Sequence, residues 1–192
     1  MINKAKSTDN VTSSVTALKG FSENAKGGGV FHFKCFDKDG NLKWEDAAKN
    51  LVVNVGLQDM NTKYFKGSGY TAAWYIGLVA GPASGNTYAA ADTLASHSGW
   101  TENTDYSGSD RATATFGTAT TADPSVIDNS GSVAVFSITG TATIAGAFLC
   151  DVQSNASTSG ILFSVSNFTG GDRAVISGDT LNVTYEFSLD AA

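Results

Sequence analysis

Residues 180 to 188 constrain the fold more than any other stretch of the chain. Leu181, Val183, Tyr185 and Phe187 point one way, while Asn182, Thr184, Glu186 and Ser188 point the other. A period of two over eight residues is the mark of a strand with one face in a core and one face in water. The rest of the chain suits the same architecture. It is rich in Gly, Thr, Ser, Ala and Val, with only 2 Pro and 16% charged residues, a composition that favours many short strands over a helical bundle or coiled coil. At 192 residues it is long enough for one domain with a sizeable core.

The body opens on a hairpin signature. Phe31, Phe33 and Cys35 alternate with His32 and Lys34, the Asp39-Gly40 turn follows, and residues 41 to 46 return. Next comes one helix of three turns, with Asn54 as its cap, Leu57, Met60 and Tyr64 on one face, and Gly67 as its stop. Further strands are expected near 72–80, 111–118, 132–139, 142–151, 160–166 and 180–188, with a long loop at 82–110. The predicted fold is all-β: a β-sandwich or jelly roll of about eight strands, one short helix and an extended N-terminal arm.

That arm is residues 1–29, and the body is residues 30–192. The arm is polar and ends in Gly27-Gly28-Gly29, read as a flexible joint. Val11, Val15 and Leu18 fall at helical spacing, yet the Ser and Thr between them are poor helix formers. Nine apolar residues among 29 bury too little surface to offset the entropy of ordering the segment alone. It is therefore expected to need a neighbour, with Lys4, Lys6, Val11, Val15, Leu18, Lys19 and Phe21 as partner contacts and Leu18 and Phe21 as apolar anchors.

Charge is unevenly divided. Of the net −6, the arm holds +2 and the body therefore −8. An acidic body without a Lys/Arg cluster is not expected to bind nucleic acid. No apolar run is long enough to span a bilayer and no secretory apolar stretch opens the sequence, so neither membrane insertion nor that export route is expected. The two cysteines, Cys35 and Cys150, are too few for a disulfide framework or a four-thiolate metal site and read as buried thiols.

Chemistry-bearing residues are sparse. Residues 37–41 (Asp-Lys-Asp-Gly-Asn) superficially resemble a calcium loop, but the required sixth-position Gly and twelfth-position Glu are Leu42 and Ala48. His32 lies mid-strand and is expected to face solvent. His97 sits in a stretch containing Asp92, Trp100 and Glu102, where a triad would need a spatial arrangement that sequence neighbours seldom supply. The simpler reading is a turn capped by Asp92, with His97 bonded to loop backbone and Trp100 plugging one end of the sandwich. Glu102, Asp105 and Asp110 near Arg111, one of only two Arg, read as an ion pair that orders the long loop. Trp74, Tyr75, Trp100 and Tyr106 offer an aromatic platform for sugar as an alternative. No catalytic residue, metal site or cofactor is assigned.

The chain also resembles a family. Asp39-Gly40 with Lys43-Trp44, Asn50-Leu51-Val52, Asn54 with Gly56-Leu57, and Trp74-Tyr75 with Gly77-Leu78 carry the resemblance. It continues through residues 92–102, Arg111, Gly146 with Phe148-Leu149, and Gly178-Asp179 with Leu181. Over about residues 30–188 these resemble tailed-bacteriophage virion proteins of the capsid decoration, or cement, type. The resemblance implies a jelly-roll-like subunit made in the host cytoplasm, assembled as a homo-trimer on the capsid surface, and bound to the major capsid protein. It implies no catalytic residues. A receptor- or carbohydrate-binding module of a phage tail or fibre is the alternative.

Overall fold

A computed structural model of the protein describes residues 26–67, 70 and 72–190. The seven arm residues named above, from Lys4 to Phe21, lie outside the described residues.

Twelve strands in two antiparallel sheets form the described body, with one α-helix. In the first sheet β1 (Lys26–Phe36) lies between β2 (Leu42–Lys49) and β12 (Thr180–Asp190), and the far edge of β12 takes both β7 (Ser125–Asp128) and β8 (Ala134–Ser137). The second sheet runs β3 (Leu51–Val52), β10 (Leu162–Asn167), β9 (Ala142–Cys150), β4 (Tyr75–Ala80), β5 (Glu102–Asn103), with β11 (Arg173–Val175) also on β9 and β6 (Ala112–Thr113) also on β4. A sandwich of two antiparallel sheets is thus present, with twelve strands in place of the expected eight. The additional ones, β3, β5, β7 and β11, are two to four residues long, too short to display a period.

The alternation in β12 does what its pattern requires: Leu181, Val183, Tyr185 and Phe187 are buried, and the residues between them are half-buried. They meet Phe31, Phe33 and Phe136 from their own sheet, and Ile76, Leu78, Ile144 and Leu149 from the other. The second sheet is covered on both faces. Val79, Ala145, Phe148, Cys150, Leu162 and Val165 form a second cluster on its outer side, roofed by Leu94 and Trp100 from the long loop. Double coverage explains why β9 is buried without interruption from Ile144 to Cys150.

The glycine triplet is not a joint. Gly27, Gly28 and Gly29 are strand residues of β1, opposite Leu189, Ser188 and Phe187. Gly29 is there because of packing: a side-chain carbon on it would lie 2.5 Å from Tyr185 Oη and 2.8 Å from the Glu186 carbonyl. Asn50 locks the spot, its Oδ1 accepting the Gly29 N–H at 2.8 Å and its Nδ2 donating to Tyr185 Oη at 2.7 Å.

The helix α1 (Asn54–Lys66) also departs from expectation. Val53 occupies the cap position and no side chain caps the helix; the Asn54 N–H instead donates to the Ala90 carbonyl of the long loop at 2.8 Å. Leu57 and Tyr64 are exposed, Tyr64 at 80%, while Met60 rests on the core. The inward stripe is Gly56, Met60 and Lys63, because α1 approaches β10 so closely that a side-chain carbon at Gly56 would meet the Phe163 carbonyl oxygen at 2.6 Å. Gly67 ends the helix in the left-handed region, φ 63°.

Candidate functional site

Three groupings of polar or aromatic residues stand out. The first is the centre built on Arg111 and Glu102. Arg111 donates from Nε to Glu102 Oε1 at 2.9 Å and from Nη2 to Oε2 at 2.8 Å. Nη1 donates to the Val152 carbonyl at 3.0 Å and to Cys150 Sγ at 3.4 Å, and Nη2 also reaches the Ser157 carbonyl at 3.2 Å. A guanidinium has five N–H donors, and here all are engaged. Burial works against the Arg111 charge, but the bonds to Glu102 outweigh it and hold the guanidinium above its ordinary pKa. Glu102 Oε2 also accepts the Ala156 N–H at 2.8 Å, pinning a residue with φ 54° in the loop that follows β9. The centre joins residues from β5, the start of β6 and the 151–161 loop, and leaves neither charge available to a ligand.

The second grouping is the Asp92, His97 and Trp100 stretch. Asp92 Oδ2 accepts the Ala89 N–H at 3.1 Å and Trp100 Nε1–H at 3.3 Å. His97 Nδ1 lies 3.0 Å from the Trp100 carbonyl, and its ring stacks on the indole at 3.9 Å between centroids. Trp100, only 3% exposed, in turn packs on Phe148. Trp100 therefore covers the outer face of the second sheet and not an end of the sandwich. His32 is exposed in mid-strand.

The proposed aromatic platform is not assembled. Trp100 and Tyr106 are buried, Tyr106 against Phe136 in the central core and Trp100 on the opposite side of the second sheet. Tyr75 belongs to the outer cluster, and Trp74 to the central one. Trp74, just before β4, and Tyr75, its first residue, pack against these two different clusters and so present no common surface.

The third grouping is a groove that sequence reasoning missed. A cavity of about 350 Å³ opens beside α1, and both sheets contribute to its lining: Leu149 and Phe163 from the second, Tyr185 and Phe187 from the first. Met60 of α1, Trp74, Phe116 and Ile127 line it as well. Its only charged side chains, Asp59 and Lys63, are paired at 2.7 Å, with Lys63 Nζ 4.3 Å from the centre of the Tyr70 ring. Trp74 Nε1 donates to Tyr70 Oη at 2.8 Å. The available signal is the density of aromatics at Tyr64, Phe65, Tyr70 and Trp74.

Both thiols are buried, and burial pushes each up to about 11, helped at Cys35 by the nearby Asp179 carboxylate. Asp179, 2% exposed, is paired with Lys43 at 2.5 Å and accepts the Ile176 N–H at 2.9 Å. No group of three or more His, Cys, Asp or Glu side chains placed to hold a metal ion occurs among the described residues. Nor does any described helix have the length and apolarity to cross a membrane. Comparison with known protein families, curated proteins and solved structures gives no match.

Proposed function

We propose that the chain is a structural virion protein that binds the outside of a bacteriophage capsid and stabilises it, using a rigid β body and an N-terminal arm. On this reading it is not an enzyme, its partner is the major capsid protein, and it acts as a homo-trimer on the shell. The observation that supports it best is the placement of β1. The N-terminal segment runs straight into a strand held on both sides, eleven residues against β12 and most of its length against β2. Anything that grips the arm is thereby coupled to the interior of the first sheet. The closed Arg111–Glu102 centre and the buried Trp100 favour a body that presents surfaces over one that turns over a substrate. Many copies on a closed lattice then make each modest contact multivalent.

Binding of purified protein to capsid shells that lack it tests this reading. The full chain should co-sediment with the shells, and a chain shortened by residues 1–25, which keeps β1 whole, should bind much more weakly. Equal binding by both, or none by either, defeats the proposal.

A receptor- or carbohydrate-binding module of a tail or fibre is the second reading. It is favoured by Trp74 and Tyr70 at the mouth of the groove, and it predicts glycan-array binding that disappears in Trp74→Ala.

A further inference from the structure

The groove beside α1 is lined mainly by apolar side chains, and most of its polar groups are paired. Asp59 and Lys63 hold each other, and Tyr185 Oη is bonded to Asn50 and lies 3.3 Å from Ser164 Oγ. Its mouth continues onto Tyr64, which packs edge-on against Phe65, both about four-fifths exposed. A concave apolar site with an aromatic lip selects aliphatic and aromatic side chains.

We propose that this groove is the seat of the chain's own N-terminal segment, with Val11, Val15, Leu18 and Phe21 as the side chains that enter it.

Three observations converge on that occupant. The first is where the segment joins the body. β1 begins at Lys26, and a side-chain carbon at Gly27 would lie 3.2 Å from Cζ of Phe187, which lines the groove. Phe21 is five residues before Lys26, so at most about 18 Å of extended backbone separates them. The second is sequence pattern. Val11, Val15 and Leu18 recur at intervals of four and three, and Phe21 follows after three more. In a helix that spacing would gather them into one apolar stripe of the kind that lies in grooves. The third is competition. A segment whose proposed contacts lie five to fifteen residues from Lys26 faces the groove at an effective concentration on the order of millimolar. A free partner or a second copy must exceed that advantage to displace it.

This inference holds whether or not the chain sits on a capsid. It adds a consequence if it does: the side chains proposed to fasten the arm to a shell are sheltered in the unattached protein.

The test uses the full chain. Cys35 and Cys150 are both fully buried, so a nitroxide can be placed on Ser14→Cys, a polar position far along the segment from the tether. Methyl signals of Met60, Leu149 and Ile127 should lose more than half their intensity, while Ile176, near the start of β12, should be unaffected. The loss should vanish when Leu18→Asp and Phe21→Asp are added. No broadening in the groove overturns the proposal, as does broadening that persists in the aspartate variant, which would reflect the tether alone. A mixture of nitroxide-bearing chains with isotope-labelled chains lacking the nitroxide identifies a second copy as occupant, and broadening confined to that mixture also overturns it.

Discussion

Arg111 and Glu102 face each other through two parallel N–H···O bonds of 2.9 and 2.8 Å, with side chains 1% and 9% exposed. Removing one member of so buried a pair leaves the other charged and unsolvated. Glu102→Leu should therefore cost about 3–5 kcal/mol in urea unfolding, and backbone exchange around Ala156 should accelerate because that N–H loses its acceptor. A loss below about 1 kcal/mol, the size of an exposed pair, would contradict the burial described.

Adjacent glycines in β1 should respond very differently to the same substitution. Gly28 has open space around an added carbon, whereas at Gly29 that carbon meets Tyr185 Oη at 2.5 Å. Gly28→Ala should stay within about 0.5 kcal/mol of the parent, and Gly29→Ala should lose about 1–3 kcal/mol. Equal effects in thermal or chemical unfolding would restore the idea of a loose hinge.

Alkaline pH should destabilise the protein through its thiols. Both have folded pKa values of about 11 against an ordinary 9.0, so between these values the unfolded chain releases protons that the folded chain retains. The thiols' contribution to stability is complete below pH 9 and is lost as the pH rises toward 11, at a slope of on the order of 1 kcal/mol per unit for each thiol at most. The double variant Cys35→Ala, Cys150→Ala should show a shallower decline over that window. In the native state at pH 8, neither thiol should react with a disulfide reagent until the protein is unfolded.

Trp100 should prove a packing residue. Its ring lies between His97 and Phe148 and is nearly inaccessible. Trp100→Ala should cost about 3–5 kcal/mol and loosen the 82–101 loop as judged by limited proteolysis. A stable variant with an unchanged loop would argue against that role.

Legibility in the sequence followed the range of the interactions. β12, the β1–β2 hairpin and β9 were visible because side-chain alternation, a turn, or an unbroken apolar run is written in consecutive residues. An ion pair between Arg111 and one of Glu102, Asp105 and Asp110 is legible because the chain has only two arginines, but which of the three carboxylates makes it is not. The inward stripe of α1 was misread, since the helix sits against β10 through Gly56 and so turns Leu57 and Tyr64 outward. Gly29 reads in the sequence as freedom yet marks crowding, and only the position of Tyr185, more than 150 residues away in the chain, reveals the difference. The groove was hidden for the same reason. Its lining comes from α1 and the segment after it, from residues 116 and 127, and from β9, β10 and β12, and no local pattern announces that they meet.

The position of β1 between two antiparallel neighbours also sets how the molecule bears load. A pull on the N-terminus, with the body braced elsewhere, acts along the axis of β1 and loads its rungs to β12 and β2 in parallel. Such a joint resists as a lap seam does, all its stitches yielding together or not at all. A pull across the strand would instead peel the rungs open one at a time.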